Sequence, residues 1–194
     1  MKKILLLTVA IVFAFNLSNA QEENKKDLKP ALLVLDVQNA YISMMDQSDQ
    51  DLAIQHINWA IWLFEKYELP IIRIYHQNKA GNPAEDSEEF KFIDEINVKE
   101  DYPKVIKQYG NAFTKTDLDK ILKEKGINSV FLCGLSATGC VLATKIGTDD
   151  HDYNSFLIKN ALLSPNADHT DVIEEIISTM DLESIMFLFE HTLK

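Results

Sequence analysis

The sequence predicts an α/β fold in which a mostly parallel sheet carries helices on both faces. Continuous apolar runs of strand length recur, as at residues 31–35 and 130–133, and such runs suit strands buried on both sides. Stretches of helical spacing alternate with them, a pattern that yields parallel strands joined by crossover helices. The chain has 194 residues, 46% hydrophobic and 25% charged, as expected for one globular domain with a real core.

Each element can be justified in order. Residues 1–20 read as a secretory signal. Lys2 and Lys3 form the positive start, residues 4–15 the apolar run, and Ser18 and Ala20 the small residues that a signal peptidase reads. Twelve apolar residues are short of the ~20 needed to span hydrocarbon. The reading is therefore an exported protein, periplasmic or secreted, with no membrane association after cleavage near Ala20. Residues 21–29 are polar and form a flexible lead-in. The domain proper is expected over residues 30–194.

Residues 31–35 form the first strand, ending at Asp36. Leu52, Ile54, Ile57, Ala60, Ile61 and Phe64 share one face of a helix over about 51–68, which Asp49 or Asp51 can cap and Pro70 ends. Residues 71–75 are the second strand. Residues 76–103 are polar and irregular, with a short helix expected over 87–96, and so long a connection points to function. A short strand over 105–107, a helix over 116–125 ending at Gly126, and a strand over 129–133 follow. Then come a helix over 138–150, a strand over 155–158, a helix over 171–180 and a last strand over 185–189.

Charge narrows the function. With 19 Lys+Arg against 30 Asp+Glu, the net charge is -11, which excludes a nucleic-acid binder because phosphate contacts need clustered cations. Arg73 is the one arginine, so paired-arginine clamps on phosphate or dicarboxylate are excluded too. A small neutral or weakly polar partner fits this balance better than a strongly anionic one.

In an open parallel sheet, ligands bind outside the carboxyl ends of the strands. Asp36, Lys107 and Cys140 all fall at or near such ends. Near a helix N-terminus the macrodipole lowers the Cys140 pKa, and the Lys107 ammonium favours the thiolate further. Asp36 can take the thiol proton and return it to a leaving amine. Backbone N–H groups of the turn over 134–139 can bind an oxyanion. Taken singly, each residue has an ordinary structural reading: a helix cap, a surface charge, a core thiol.

Local sequence is more specific. Leu32-Leu-Val-Leu-Asp36-Val-Gln38-Asn39-Ala-Tyr41 resembles the opening motif of the isochorismatase-like cysteine hydrolases. Lys107-Gln-Tyr109-Gly-Asn-Ala-Phe113-Thr-Lys-Thr116-Asp-Leu118 resembles their second motif, and Gly134-Leu135-Ser136-Ala-Thr-Gly-Cys140-Val141-Leu-Ala-Thr144 their third. The resemblance extends over about residues 30–190. It implies a three-layer α-β-α fold around a six-stranded, Rossmann-like sheet. It implies Cys140 as nucleophile, Asp36 as base and Lys107 as third catalytic member. It also implies a cis peptide between Leu135 and Ser136, with the N–H groups of Ser136 and Cys140 as oxyanion donors, and a homo-oligomer. Asp152 departs from the pattern, standing where a Gly commonly precedes the Tyr.

Gln38, Tyr41, His76, Tyr109 and Phe113 are candidates for the substrate pocket. His76 reads either as a cleft contact or as an exposed loop residue, and Phe113 either as pocket wall or as core. The Asp-x-His pair by which nicotinamidases of this superfamily hold a metal is missing after the second strand. No metal and no other cofactor is expected. Cys133 should be buried and Cys140 a free thiol, since their side chains diverge from strand end and helix start. The expected function is cleavage of a small molecule's C–N amide bond through a covalent acyl-enzyme. The alternatives are nicotinamidase or isochorismatase chemistry, and a non-catalytic binding protein on the same scaffold.

Overall fold

The computed structural model describes residues 27–193, so the expected signal and most of the lead-in lie outside it. Six parallel strands form one sheet: β1 (Pro30–Leu35), β2 (Ile71–His76), β3 (Lys104–Lys107), β4 (Ser129–Leu135), β5 (Asn154–Leu163) and β6 (Thr179–Met180). Their order is β3-β2-β1-β4-β5-β6. The chain builds outward from β1 to β3, then crosses back to place β4 on the other side of β1. The junction of β1 and β4 is thus the switch point at which α/β sheets form ligand crevices.

Every residue of β1 and β4 is buried, as their apolar runs require, the polar Ser129 at the start of β4 included. Alternation sorts the side chains into two cores. Leu32 and Val34 pack on one face with Phe64, Phe131 and Phe189, while Leu33 and Leu35 pack on the other with Leu118, Leu132 and Val141. Gly134 makes the close approach of β4 to β1 possible. Its φ is +112°, and a Cβ there would lie 2.1 Å from the Leu35 carbonyl oxygen.

The helices are α1 (Asn39–Ile42), α2 (Gln47–Lys66), α3 (Leu118–Glu124), α4 (Leu142–Asp150), α5 (Ala167–Ile176) and α6 (Leu182–Thr192). Helix α2 begins earlier than its apolar spacing implied, because Asp46, rather than Asp49 or Asp51, accepts the Ser48 N–H as N-cap. The expected helix over 87–96 shrinks to one 3₁₀ turn, Glu88–Phe90. The expected helix over 171–180 is displaced to α5, capped by Asn166, and residues 179–180 join the sheet as β6.

The expected last strand over 185–189 is instead part of α6. Asp181 accepts the Ser184 N–H, and Leu182, Ile185 and Phe189 are buried at intervals of three and four. That is a helical face, which a five-residue apolar window cannot distinguish from a strand. Asp152 has φ 63°, a left-handed conformation that explains why glycine suits that position. Among the described residues, no helix is long and apolar enough to cross a membrane.

Candidate active site

Asp36 leaves β1 with φ 56°, a left-handed conformation uncommon for a residue with a side chain. Its carboxylate is 1% exposed. Lys107 ends β3, is 0% exposed, and reaches across β2 to place Nζ 2.7 Å from Asp36 Oδ2. The same ammonium donates to Cys140 Sγ at 3.0 Å and lies 3.2 Å from His76 Nδ1. Three acceptors match the three protons of a lysine ammonium. The Asp36 carboxylate also faces the Cys140 thiol, with which it shares a side-chain hydrogen bond.

Cys140 sits in a π-helical turn, Ala137–Val141, that leads into α4. The Ser136 carbonyl accepts from the N–H groups of Gly139 (2.9 Å) and Val141 (3.1 Å) and skips that of Cys140. Single π turns of this kind recur at functional sites. The peptide bond between Leu135 and Ser136 is cis. Both cysteines are free thiols, Cys133 buried and Cys140 partly exposed.

Electrostatics differ from the expectation of a resting thiolate. Burial pushes the Cys140 thiol up to about 11, and the Asp36 charge adds to this. Lys107 opposes both without overcoming them. Burial likewise raises the Asp36 pKa, against the pull of Lys107. His76 moves the other way, to about 4, through burial and the adjacent ammonium. It is therefore neutral at pH 7, with Nδ1 free to accept from Lys107.

These groups open into a cavity of about 140 Å³. Asp36, Cys140, Ser136 and His76 line its chemical wall; Tyr41, Met44, Met45 and Leu135 line the rest. Of the five pocket candidates, Tyr41 and His76 are on this lining. Gln38 lies behind it, 0% exposed. It accepts the His76 N–H at 2.7 Å and donates to the Phe90 carbonyl at 2.9 Å, so it fixes where β2 delivers His76. Tyr109 lies away from the lining beneath the ammoniums of Lys79 and Lys115, and Phe113 stacks on His151 at 4.5 Å. Met44 and Met45 had no periodic signal in the sequence, because they sit in the turn between α1 and α2. A larger cleft of about 570 Å³ lies beside Arg73 and Lys104, apart from Asp36, Lys107 and Cys140. There Arg73 is already bonded to the carbonyls of Glu100 and Tyr102.

Asp36, His76 and Cys140 bring potential ligand atoms within 4.8 Å of one another, a spacing that suits a cation. Lys107 Nζ contacts all three, so the point where they converge already carries the chain's own positive charge.

Residues 30–180 match the family model for the isochorismatase domain. An uncharacterised isochorismatase family protein of Bacillus subtilis, YddQ, is 26% identical over 137 residues, spanning 68% of this chain and 76% of that protein. The maleamate amidohydrolase of Pseudomonas putida is 29% identical over 62 residues, 32% of this chain and 29% of that enzyme. Among solved structures, an isochorismatase-like hydrolase from Alkaliphilus metalliredigens superposes with a TM-score of 0.73 at 20% identity. It covers 83% of this chain and 99% of its own. That likeness shows a shared α/β fold.

Proposed function

Since this chain belongs to the isochorismatase family of hydrolases, which act on small molecules, we propose that it cleaves the C–N bond of a small amide through a Cys140 acyl-enzyme. One observation carries this reading. Lys107 Nζ bridges Asp36 Oδ2 at 2.7 Å and Cys140 Sγ at 3.0 Å at the wall of a cavity that admits a small substrate.

Cys140 rests as a thiol. As its sulfur bonds to the substrate carbonyl carbon, Asp36 takes the thiol proton, and the carbonyl π pair moves onto oxygen. The raised Asp36 pKa makes it a stronger base than an exposed carboxylate, and the Lys107 charge offsets the negative charge forming on sulfur. The N–H groups of Ser136 and Cys140 are the candidate donors to the oxyanion, each worth about 2.7–4 kcal/mol in such a role. When the C–N bond breaks, Asp36 returns the proton to the leaving nitrogen. Water then attacks the thioester, giving its proton to Asp36; the carboxylic acid leaves, and the sulfur recovers the proton as thiol.

The test is ammonia or amine release from a panel of small amides, with Cys140→Ala as control. Activity should vanish in the variant, and intact mass should catch an acyl adduct on the parent. A Cys140→Ala protein as active as the parent overturns the mechanism. The lysines and apolar run of residues 1–20 support export of the protein as part of the same proposal. N-terminal sequencing of the protein from its native compartment checks cleavage near Ala20.

A further inference from the structure

We propose that the cavity selects uncharged substrates, because Lys107, the cation buried behind its wall, is fully engaged by the site's own side chains and His76 offers a neutral donor in its place. This rests on the reading of the cavity as the reaction site and names the substrate class that it takes.

Three observations support it. First, the Lys107 ammonium has three protons and three acceptors: Asp36 Oδ2 at 2.7 Å, Cys140 Sγ at 3.0 Å and His76 Nδ1 at 3.2 Å. None is left for a substrate carboxylate. Second, among the described residues no Lys or Arg lines the cavity, whereas the Asp36 carboxylate does. An anionic substrate would be desolvated beside that carboxylate with no free cation to pair it. Third, the contact from Lys107 assigns Nδ1 of His76 as acceptor, which places the ring proton on Nε2. That N–H suits a carbonyl or hydroxyl oxygen of a neutral molecule. Tyr41, Met44, Met45 and Leu135 complete an apolar wall, and about 140 Å³ is close to the volume that takes a benzene-sized group. The geometry therefore fits a compact, uncharged amide with a small apolar acyl part.

Iodoacetamide and iodoacetate form a matched neutral and anionic pair that probes the cavity without needing turnover. In each, the Cys140 sulfur forms the S–C bond as iodide leaves, and Asp36 or buffer takes the thiol proton. Rates are read by peptide mass spectrometry, with buried Cys133 as internal control and free cysteine as reference. Iodoacetamide should outpace iodoacetate at Cys140 by at least about tenfold more than it does on free cysteine. The excess should persist in about 0.5 M NaCl, where the screening length is near 4 Å and the protein's overall negative charge is masked. Met44→Lys, which adds a cation at a position 56% exposed on the cavity rim, should raise the iodoacetate rate, and Met44→Gln should not.

A ratio equal to that of free cysteine overturns the proposal. An excess that disappears in salt also overturns it, because it then belongs to the net charge rather than the cavity. If no amide is turned over while the alkylation excess stands, the amidase reading fails and the neutral selectivity of the cavity survives. If amides are turned over and carboxylate-bearing ones are favoured, the selectivity fails alone.

Discussion

The ammonium of Lys107 lies 2.7 Å from Asp36 Oδ2 in an ion pair whose two side chains are 0% and 1% exposed. The two residues come from β3 and the end of β1, with β2 between them. Breaking such a pair strands a charge in a dry site, whereas removing both members together need not destabilise.

Lys107→Met should therefore lower stability by about 3–5 kcal/mol. For a domain of this size that corresponds to a fall in Tm of roughly 6–20 °C. The double variant Asp36→Asn with Lys107→Met should recover much of the loss. Thermal denaturation of the three proteins measures it, and a double variant no better than Lys107→Met would contradict the pairing.

Replacing Asp36, the proposed base, should separate the reactivity of the Cys140 thiol from hydrolysis. The Asp36 charge helps to raise the Cys140 pKa, so Asp36→Asn should shift the alkylation pH profile of Cys140 downward from its midpoint near 11. Hydrolysis should nevertheless fall by about 10²–10⁴-fold, the usual worth of a general base. An unshifted alkylation profile would remove Asp36 from the electrostatics of the thiol.

Acid should weaken the fold partly through His76. Its folded pKa, near 4, lies below its ordinary value of 6.5. As pH falls through that interval the unfolded chain takes up a proton that the folded chain refuses, so stability present above pH 6.5 is lost toward pH 4. His76→Gln should show a shallower decline of Tm over that window than the parent. An equal or steeper decline refutes the assignment.

Gly134 should admit no side chain. Gly134→Ala brings a Cβ against the Leu35 carbonyl at a φ that alanine avoids, and the protein should fail to fold or lose at least about 3 kcal/mol. Gly81→Ala is the control. Its φ is +82°, with open space around the new methyl, so it should cost about 1–2 kcal/mol of backbone strain alone. Similar losses for the two variants would show that the contact between β4 and β1 is not the constraint.

Much of this was legible in the linear sequence, and the failures have a common cause. The runs that became β1, β2 and β4, the apolar stripe of α2, and the order of Asp36, Lys107 and Cys140 are properties of neighbours along the chain. Residues 185–189 misled because Ile185, Met186, Phe187, Leu188 and Phe189 form a block as apolar as a strand. Only two of them, Ile185 and Phe189, are buried, four apart on a helix. Tyr109 and Phe113 misled because nearness to Lys107 in sequence is not nearness to its ammonium, which points across the sheet.

By itself the sequence determined the alternation of strands and helices, and with it the placing of Asp36, Lys107 and Cys140 at or near strand ends; the sheet order then joined β1 and β4 at the switch point where Asp36 and Cys140 meet. Hydrophobic period is local, so a short window carries it. Only the tertiary structure decided that Lys107 spends its three protons on Asp36, Cys140 and His76. It also pushed the Cys140 pKa up, although a helix start and a nearby lysine argue locally for a thiolate. Desolvation is the reason: it depends on how completely distant elements exclude water, and here burial outweighs the nearby positive charge.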